Sequence, residues 1–225
     1  MSETISIAID GPAGAGKSTI AKLLARRLGI LYLDTGAMYR AIGLKAIKTA
    51  TDMRSEPAIG QMLEQTDLDI VFGTEGQQVI LDGEDVSADI RTPEVSIAAS
   101  DVSALPVVRL RLVELQRCIA AKQDLVLDGR DIGTYVLPEA SYKFYLTADV
   151  RERAHRRLKD LQARGDTTVS FEQVLEDVCY RDRQDSGRAM APLKQADDAI
   201  LIDTTGMSVE EVISRVLQYI DLPLA

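Results

Sequence analysis

The 225-residue chain is 46% apolar and carries a formal charge of −9, so it can bury one substantial core but lacks the broad Lys/Arg face on which nonspecific nucleic-acid binding draws. One histidine, His155, and two isolated cysteines, Cys118 and Cys179, leave neither a zinc cluster at recognisable spacing nor a disulfide framework. Apolar residues come in short runs, with no stretch long enough to span a membrane and no secretory leader over residues 1–10, so a cytoplasmic protein is expected.

Residues 4–10 read as a short buried strand. They run into Gly11-Pro12-Ala13-Gly14-Ala15-Gly16-Lys17-Ser18, which fits G-x-x-x-x-G-K-[ST] at every fixed position. Ile20, Leu23, Leu24 and Leu28 then repeat at helical spacing, and Gly29 supplies the stop. A glycine-rich turn between a strand and a helix aims backbone N–H groups at phosphate oxygens, and the helix N-terminus adds about half a positive charge. Lys17 is thus expected to bridge the β- and γ-phosphates of a nucleotide. Ser18 offers its hydroxyl to Mg2+, which prefers hard oxygen ligands.

A second strand is expected over 30–34 and a second helix over 35–48, so the chain opens as alternating strand and helix, the pattern of a parallel sheet covered on both faces. From residue 68 the pattern changes to short strands over 68–72 and 78–81, joined by the turn Gly73-Thr74-Glu75-Gly76 and followed by Asp82-Gly83, the mark of a small antiparallel insert. Helical patterning returns over 92–105 and 106–122, and strands recur over 124–128, 142–146 and 199–202. His155 falls among arginines on an exposed helix face, and without a G-x-S-x-G turn it reads as a surface histidine. A last helix over 208–220 opens with a Ser208–Glu211 capping box, and residues 221–225 read as a frayed end.

The phosphate cradle alone does not separate a kinase from a GTPase switch, an ATPase motor or a transporter subunit. The chain contains no asparagine, which removes the N-K-x-D segment that commonly reads guanine. Two segments point to a second, anionic substrate: 34–40, with Thr35 and Arg40, and Asp128-Gly129-Arg130-Asp131-Ile132-Gly133. Each follows a strand, where open α/β sheets bind ligands, and each carries a guanidinium fork matched to phosphate oxygens. Over 171–188 the apolar stripe Phe171, Val174, Leu175, Val178 continues in phase as Arg181, Asp185 and Arg188. Charges in a core phase cost too much unless paired or facing a site, so a substrate-facing patch is expected. The acceptor stays open at this point among nucleoside monophosphates and shikimate, with a nucleotide-dependent switch as the non-enzymatic alternative.

Taken together, the P-loop, residues 34–40, Gly83-Glu84-Asp85-Val86 before Ile90-Arg91-Thr92, Asp128 to Gly133, Glu152-Arg153-Ala154-His155-Arg156-Arg157 and 181–188 before Ala191-Pro192-Leu193 resemble the bacterial cytidylate kinases over nearly the full length. The resemblance implies an α/β P-loop three-layer fold with a mostly parallel sheet, a small antiparallel nucleoside-monophosphate insert (about 62–92) and a helical lid (about 149–188), on a core of 1–61, 93–148 and 189–225. It implies transfer of the γ-phosphoryl group of ATP, held by Gly11 through Thr19 with Mg2+, to CMP or dCMP. By the same resemblance Ser100, Arg109, Asp131 and Arg188 hold the cytosine, Arg181 and Asp185 the ribose, and Arg40 and Arg130 the acceptor phosphate. Thr35 joins this acceptor set. Asp131 can accept from cytosine's exocyclic amine, whereas uracil opposes a carbonyl oxygen to it. Lid arginines Arg153 and Arg157 are expected to neutralise the transferring group, and Asp128 to orient Mg2+ through water. A monomer with no nucleic-acid or membrane partner is expected.

Overall fold

The computed structural model describes residues 4–73, 76–163 and 165–223. Residues 1–3, the tip of the expected 73–76 turn at Thr74 and Glu75, Arg164 within the expected lid, and Leu224 and Ala225 of the expected frayed end lie outside them.

The strands β1 (Ser6–Asp10), β2 (Leu31–Asp34), β6 (Leu125–Asp128), β7 (Tyr142–Thr147) and β8 (Ile200–Asp203) form one sheet in the order β2-β6-β1-β7-β8. Every pairing in it is parallel. The strands are short and apolar on both faces, as a doubly covered sheet requires, and their alternation sorts side chains into two cores. Ala8, Leu125 and Leu127 pack with α2 (Thr35–Lys48), α4 (Pro93–Val102) and α5 (Pro106–Ala120). Ile7, Ile9, Val126 and Phe144 pack with α1 (Lys17–Leu28) and α8 (Val209–Leu217). The three-layer α/β architecture expected from the alternating pattern is therefore present.

The second sheet is antiparallel, with β3 (Leu68–Gly73) paired to β4 (Gly76–Leu81) and β4 to the two-residue β5 (Glu84–Asp85). It is fastened to the main sheet by Gln77: the backbone N–H of Asp34 donates to its Oε1 at 2.6 Å, and its Nε2 donates to the Asp34 carbonyl at 3.2 Å. One side chain thus imitates the hydrogen bonding of a neighbouring strand.

Two elements were not visible in the sequence pattern. The helix α3 (Glu56–Glu64) is short, with three buried apolar residues, too few to show a period. The π-helical turn Ile132–Val136 has no periodicity at all. It forms because a carboxylate from another strand, Asp10, takes the N–H groups of Ile132 and Gly133, at 2.8 Å each. At the chain's other end α8 stops at Leu217, earlier than the expected 220, while its Ser208–Glu211 capping box is present as read.

The helices α6 (Val150–Ala163) and α7 (Phe171–Gly187) pack on one another through a small core of their own, Ala154, Leu161, Val174 and Val178. The α7 helix persists through its change from apolar to charged residues as far as Gly187, so Arg181, half-buried, and Asp185, buried, continue the stripe, while Arg188 is a buried, extended residue capping the helix. His155 is exposed and stacks on Phe171, ring centroids 4.2 Å apart. Among the described residues no helix is long and apolar enough to cross a membrane.

Candidate active site

The strands β1, β2 and β6 all end in aspartate, and Asp34 sits level with Asp128 in the β2–β6 register. A cleft of about 590 Å³ opens over these carboxyl ends, where ligands bind in open parallel sheets. One end is walled by the P-loop and α1, the other by α2, α4, α5 and the charged half of α7.

The P-loop has its form because two positions exclude a side chain. A Cβ on Gly11 would stand 1.9 Å from the Leu146 carbonyl oxygen, and on Gly14 2.7 Å from that of Arg153, both at positive φ. Lys17, at the first helical position, is buried and donates to the Pro12 carbonyl at 2.7 Å. Burial, together with the nearby Arg130 guanidinium, pushes its ammonium well below the ordinary lysine range, a penalty that an incoming polyphosphate would relieve.

Ser18 Oγ donates to Asp128 Oδ2 at 2.7 Å and Tyr32 Oη to Asp128 Oδ1 at 2.8 Å. Burial and the charge of Asp34 raise the Asp128 carboxyl. A hydroxyl and a carboxylate side by side, both hard oxygens, are a donor set that fits Mg2+ beside a bound triphosphate. Thr35 lines the cleft, but its hydroxyl donates to the Asp128 carbonyl at 2.7 Å and so ties α2 to β6.

At the acceptor end Asp34 is the hub. As N-cap of α2 it accepts from the Ala37 N–H at 2.9 Å, and its other oxygen accepts from Arg40 at 2.8 Å and from Arg91 at 2.9 Å. Burial would raise this carboxyl, but the two guanidinium groups outweigh it and hold it at about 2. Arg130 donates to Asp185 at 2.6 Å, and Arg188 donates to the Asp185 carbonyl at 3.2 Å. Arg181 is drawn down to about 10 by burial and by the charge of Arg130. Five arginines around two buried acids make an end rich in positive charge, though the whole chain is acidic.

Asp131 and Ser100 also line this end. Asp131 accepts a hydrogen bond from Arg109, which is fully buried and stands behind it, outside the cleft wall. Burial raises the Asp131 carboxyl despite Arg109. Asp131 is the residue before the π-helical turn, so the Asp10 anchor sets its position relative to the P-loop. Burial lifts the Asp10 carboxyl to about 6 against the lowering effect of its two N–H bonds.

The arginines of α6 divide. Arg157 lines the cleft, as does Arg156, which donates to the Thr204 hydroxyl at 2.8 Å and the Thr204 carbonyl at 2.7 Å. Arg153 is buried outside the lining, donating to the carbonyls of Ala148 and Ala13 at 2.9 Å each and to Asp182 at 2.7 Å. It braces α6, α7 and the P-loop.

Sequence reasoning also passed over Asp10, Gln77 and Asp182, whose partners are distant in the chain, and gave Asp34, within the 34–40 segment, no role of its own. It named Arg91 without a role. A signal for Gln116 was present: with Arg109, Leu112 and Val113 it occupies the buried phase of α5, the same pattern of polar residues in a core phase that marked 171–188.

A family model described as cytidylate kinase matches residues 7–222. The cytidylate kinase of Carboxydothermus hydrogenoformans is 52% identical over 214 residues, covering 95% of this chain and 96% of its own. That of Bacillus pumilus is 47% identical over 221 residues, 98% of each chain. The solved structure of an uncharacterized protein from Eubacterium ventriosum, 16% identical, shares the fold with a TM-score of 0.54 over 97% of this chain and 99% of that one.

Proposed function

The chain belongs to the cytidylate kinase family, and we propose that it transfers the γ-phosphoryl group of ATP to CMP, and to dCMP, giving ADP and CDP or dCDP. The observation that carries this reading is one cleft holding a P-loop at one end and a cluster of buried arginines and acids at the other. Two phosphate-bearing molecules can meet in it head to head.

In this reading the core carries an acceptor insert at about 62–92 and a lid at about 149–188. The backbone from Gly11 to Thr19 cradles the ATP phosphates, and Lys17 bridges β and γ. Ser18 and Asp128 would hold Mg2+, Asp128 through water, and the ion would supply positive charge to the phosphates. Arg40 and Arg130 align the acceptor phosphate, and Asp185 with Arg181 takes the ribose. Ser100, Asp131 and Arg188 face the base, with Arg109 holding Asp131. Arg157 supplies positive charge from the lid, and Arg153 keeps the lid helix against the P-loop. The attacking oxygen belongs to a phosphate already largely ionised at neutral pH, so no side chain is required as general base. Positioning and charge stabilisation then supply the rate. Both ends of the cleft are built from a single chain, which supports a monomeric enzyme.

The test is ADP release with CMP, dCMP, UMP, AMP and shikimate as acceptors, with and without EDTA. CMP and dCMP should dominate, and chelation should abolish turnover. Equal or absent stimulation by all five would refute the reading.

A further inference from the structure

The buried polar atoms without a hydrogen-bond partner are concentrated around the acceptor end of the cleft. They include Arg40 Nε, Arg181 Nε, Arg109 Nε and Nη1, and both side-chain atoms of Gln116. Buried polar groups are almost always satisfied, so an unsatisfied cluster calls for a cause. Arg40 and Arg181 are accounted for by the acceptor, and Arg109, behind the wall, by its pairing with Asp131 and the Tyr39 ring. Gln116 is not.

Gln116 is only 1% exposed, yet it lines the cleft with Ser100, Ser103 and Tyr39. It lies two turns after Arg109 on the same buried face of α5, separated from it by Leu112 and Val113. A helical side chain leans toward the N-terminus, which tilts the carboxamide toward Arg109 and Asp131. Tyr39 stands between the two: its ring lies 5.8 Å from the Arg109 guanidinium carbon, and its phenol is near enough to Gln116 to sense the carboxamide. The site therefore holds one more buried donor–acceptor pair, with the Tyr39 phenol beside it, beyond those in the reading above.

We propose that Gln116 is a specificity-determining residue of the acceptor site, its carboxamide completed by the polar edge of the bound pyrimidine. This rests on the function proposed above. A carboxamide offers two donors and one acceptor with two lone pairs, which suits a ring whose edge alternates amine, ring nitrogen and carbonyl. In the free protein the same group makes no hydrogen bond of full geometry, a stability cost retained for binding.

That asymmetry gives a test which a merely structural glutamine would fail. Gln116→Met keeps the volume and removes the polar atoms. The KM for CMP should rise about tenfold or more, with the KM for ATP within about twofold, and the stabilisation of the protein by CMP in a thermal melt should shrink. The Tm of the free variant should equal or exceed the wild type. Gln116→Leu repeats the measurement with a different shape, so that a local clash of one side chain is not mistaken for a lost contact. Unchanged CMP binding, or a fall in free-protein Tm in both variants, overturns the inference, as does failure of both to fold. Wild-type turnover with CMP is measured first: without it the proposed reaction falls, and with it only the role of Gln116 is at stake.

Discussion

Replacing Asp34 with asparagine isolates one charge at the centre of the acceptor site. Asn is as good an N-cap as Asp, so the bond from the Ala37 N–H and the start of α2 survive, while the attraction for Arg40 and Arg91 is lost. The carboxyl falls from 3.8 to about 2 in the fold, which is worth about 2.5 kcal/mol of stability at neutral pH. Its side chain is 8% exposed, so little is lost to solvent screening. For a chain of this size Asp34→Asn should lower Tm by about 5–10 °C at pH 7. A depressed carboxyl contributes fully above its unfolded value and loses that contribution as pH falls toward the folded one. The gap between wild type and variant should therefore hold from pH 7 to 5 and shrink to about half by pH 3. The assay is urea unfolding of both proteins at each pH, repeated with Arg91→Gln in each background. The double variant should lose less than the sum of the single losses. A gap independent of pH, or strict additivity with Arg91→Gln, would refute the account of Asp34 as the anionic hub.

Lys17→Met should lower ADP release with CMP by orders of magnitude while leaving the fold intact; near-normal turnover would remove the P-loop lysine from the reaction. Asp131→Asn should narrow the CMP-over-UMP ratio of kcat/KM by about 5- to 150-fold, the equivalent of about 1–3 kcal/mol, and a steady ratio would sink the assignment of base reading to this carboxylate. Arg153→Met should cost about 3 kcal/mol of stability and raise the KM for ATP, because it leaves Asp182 and the Ala13 carbonyl without their partner. A fall in kcat of about a thousandfold with unchanged Tm would instead put Arg153 on the transferring phosphate.

The core architecture was legible because it is written in local periodicity. Short apolar runs alternating with helical repeats specify a covered parallel sheet, and the bounds expected for the first two helices, 17–28 and 35–48, are those found. The P-loop was equally legible, since its chemistry comes from consecutive backbone amides and needs only the right residues in a row. The in-phase charges of α7 could be read as facing a site for a related reason: helical spacing alone puts Arg181 and Asp185 on one face, whereas Arg188 reaches the cleft as the extended residue after the helix.

What the sequence left open is which charge meets which. Asp10 anchors residues more than a hundred positions away, Gln77 joins the insert to β2, and Arg153 donates to the Ala13 carbonyl. Gln116 reaches the cleft wall while Arg109, on the same helix face, does not. Periodicity assigns a residue to a face, and an ionic or hydrogen-bonding group on that face then takes whatever partner the packing of distant elements brings within about 3 Å. The amino-acid order by itself determined the phosphate cradle and the layers around it. Only the tertiary structure decided the pairing of the acids and arginines, because that pairing depends on distances between strands and helices remote along the chain.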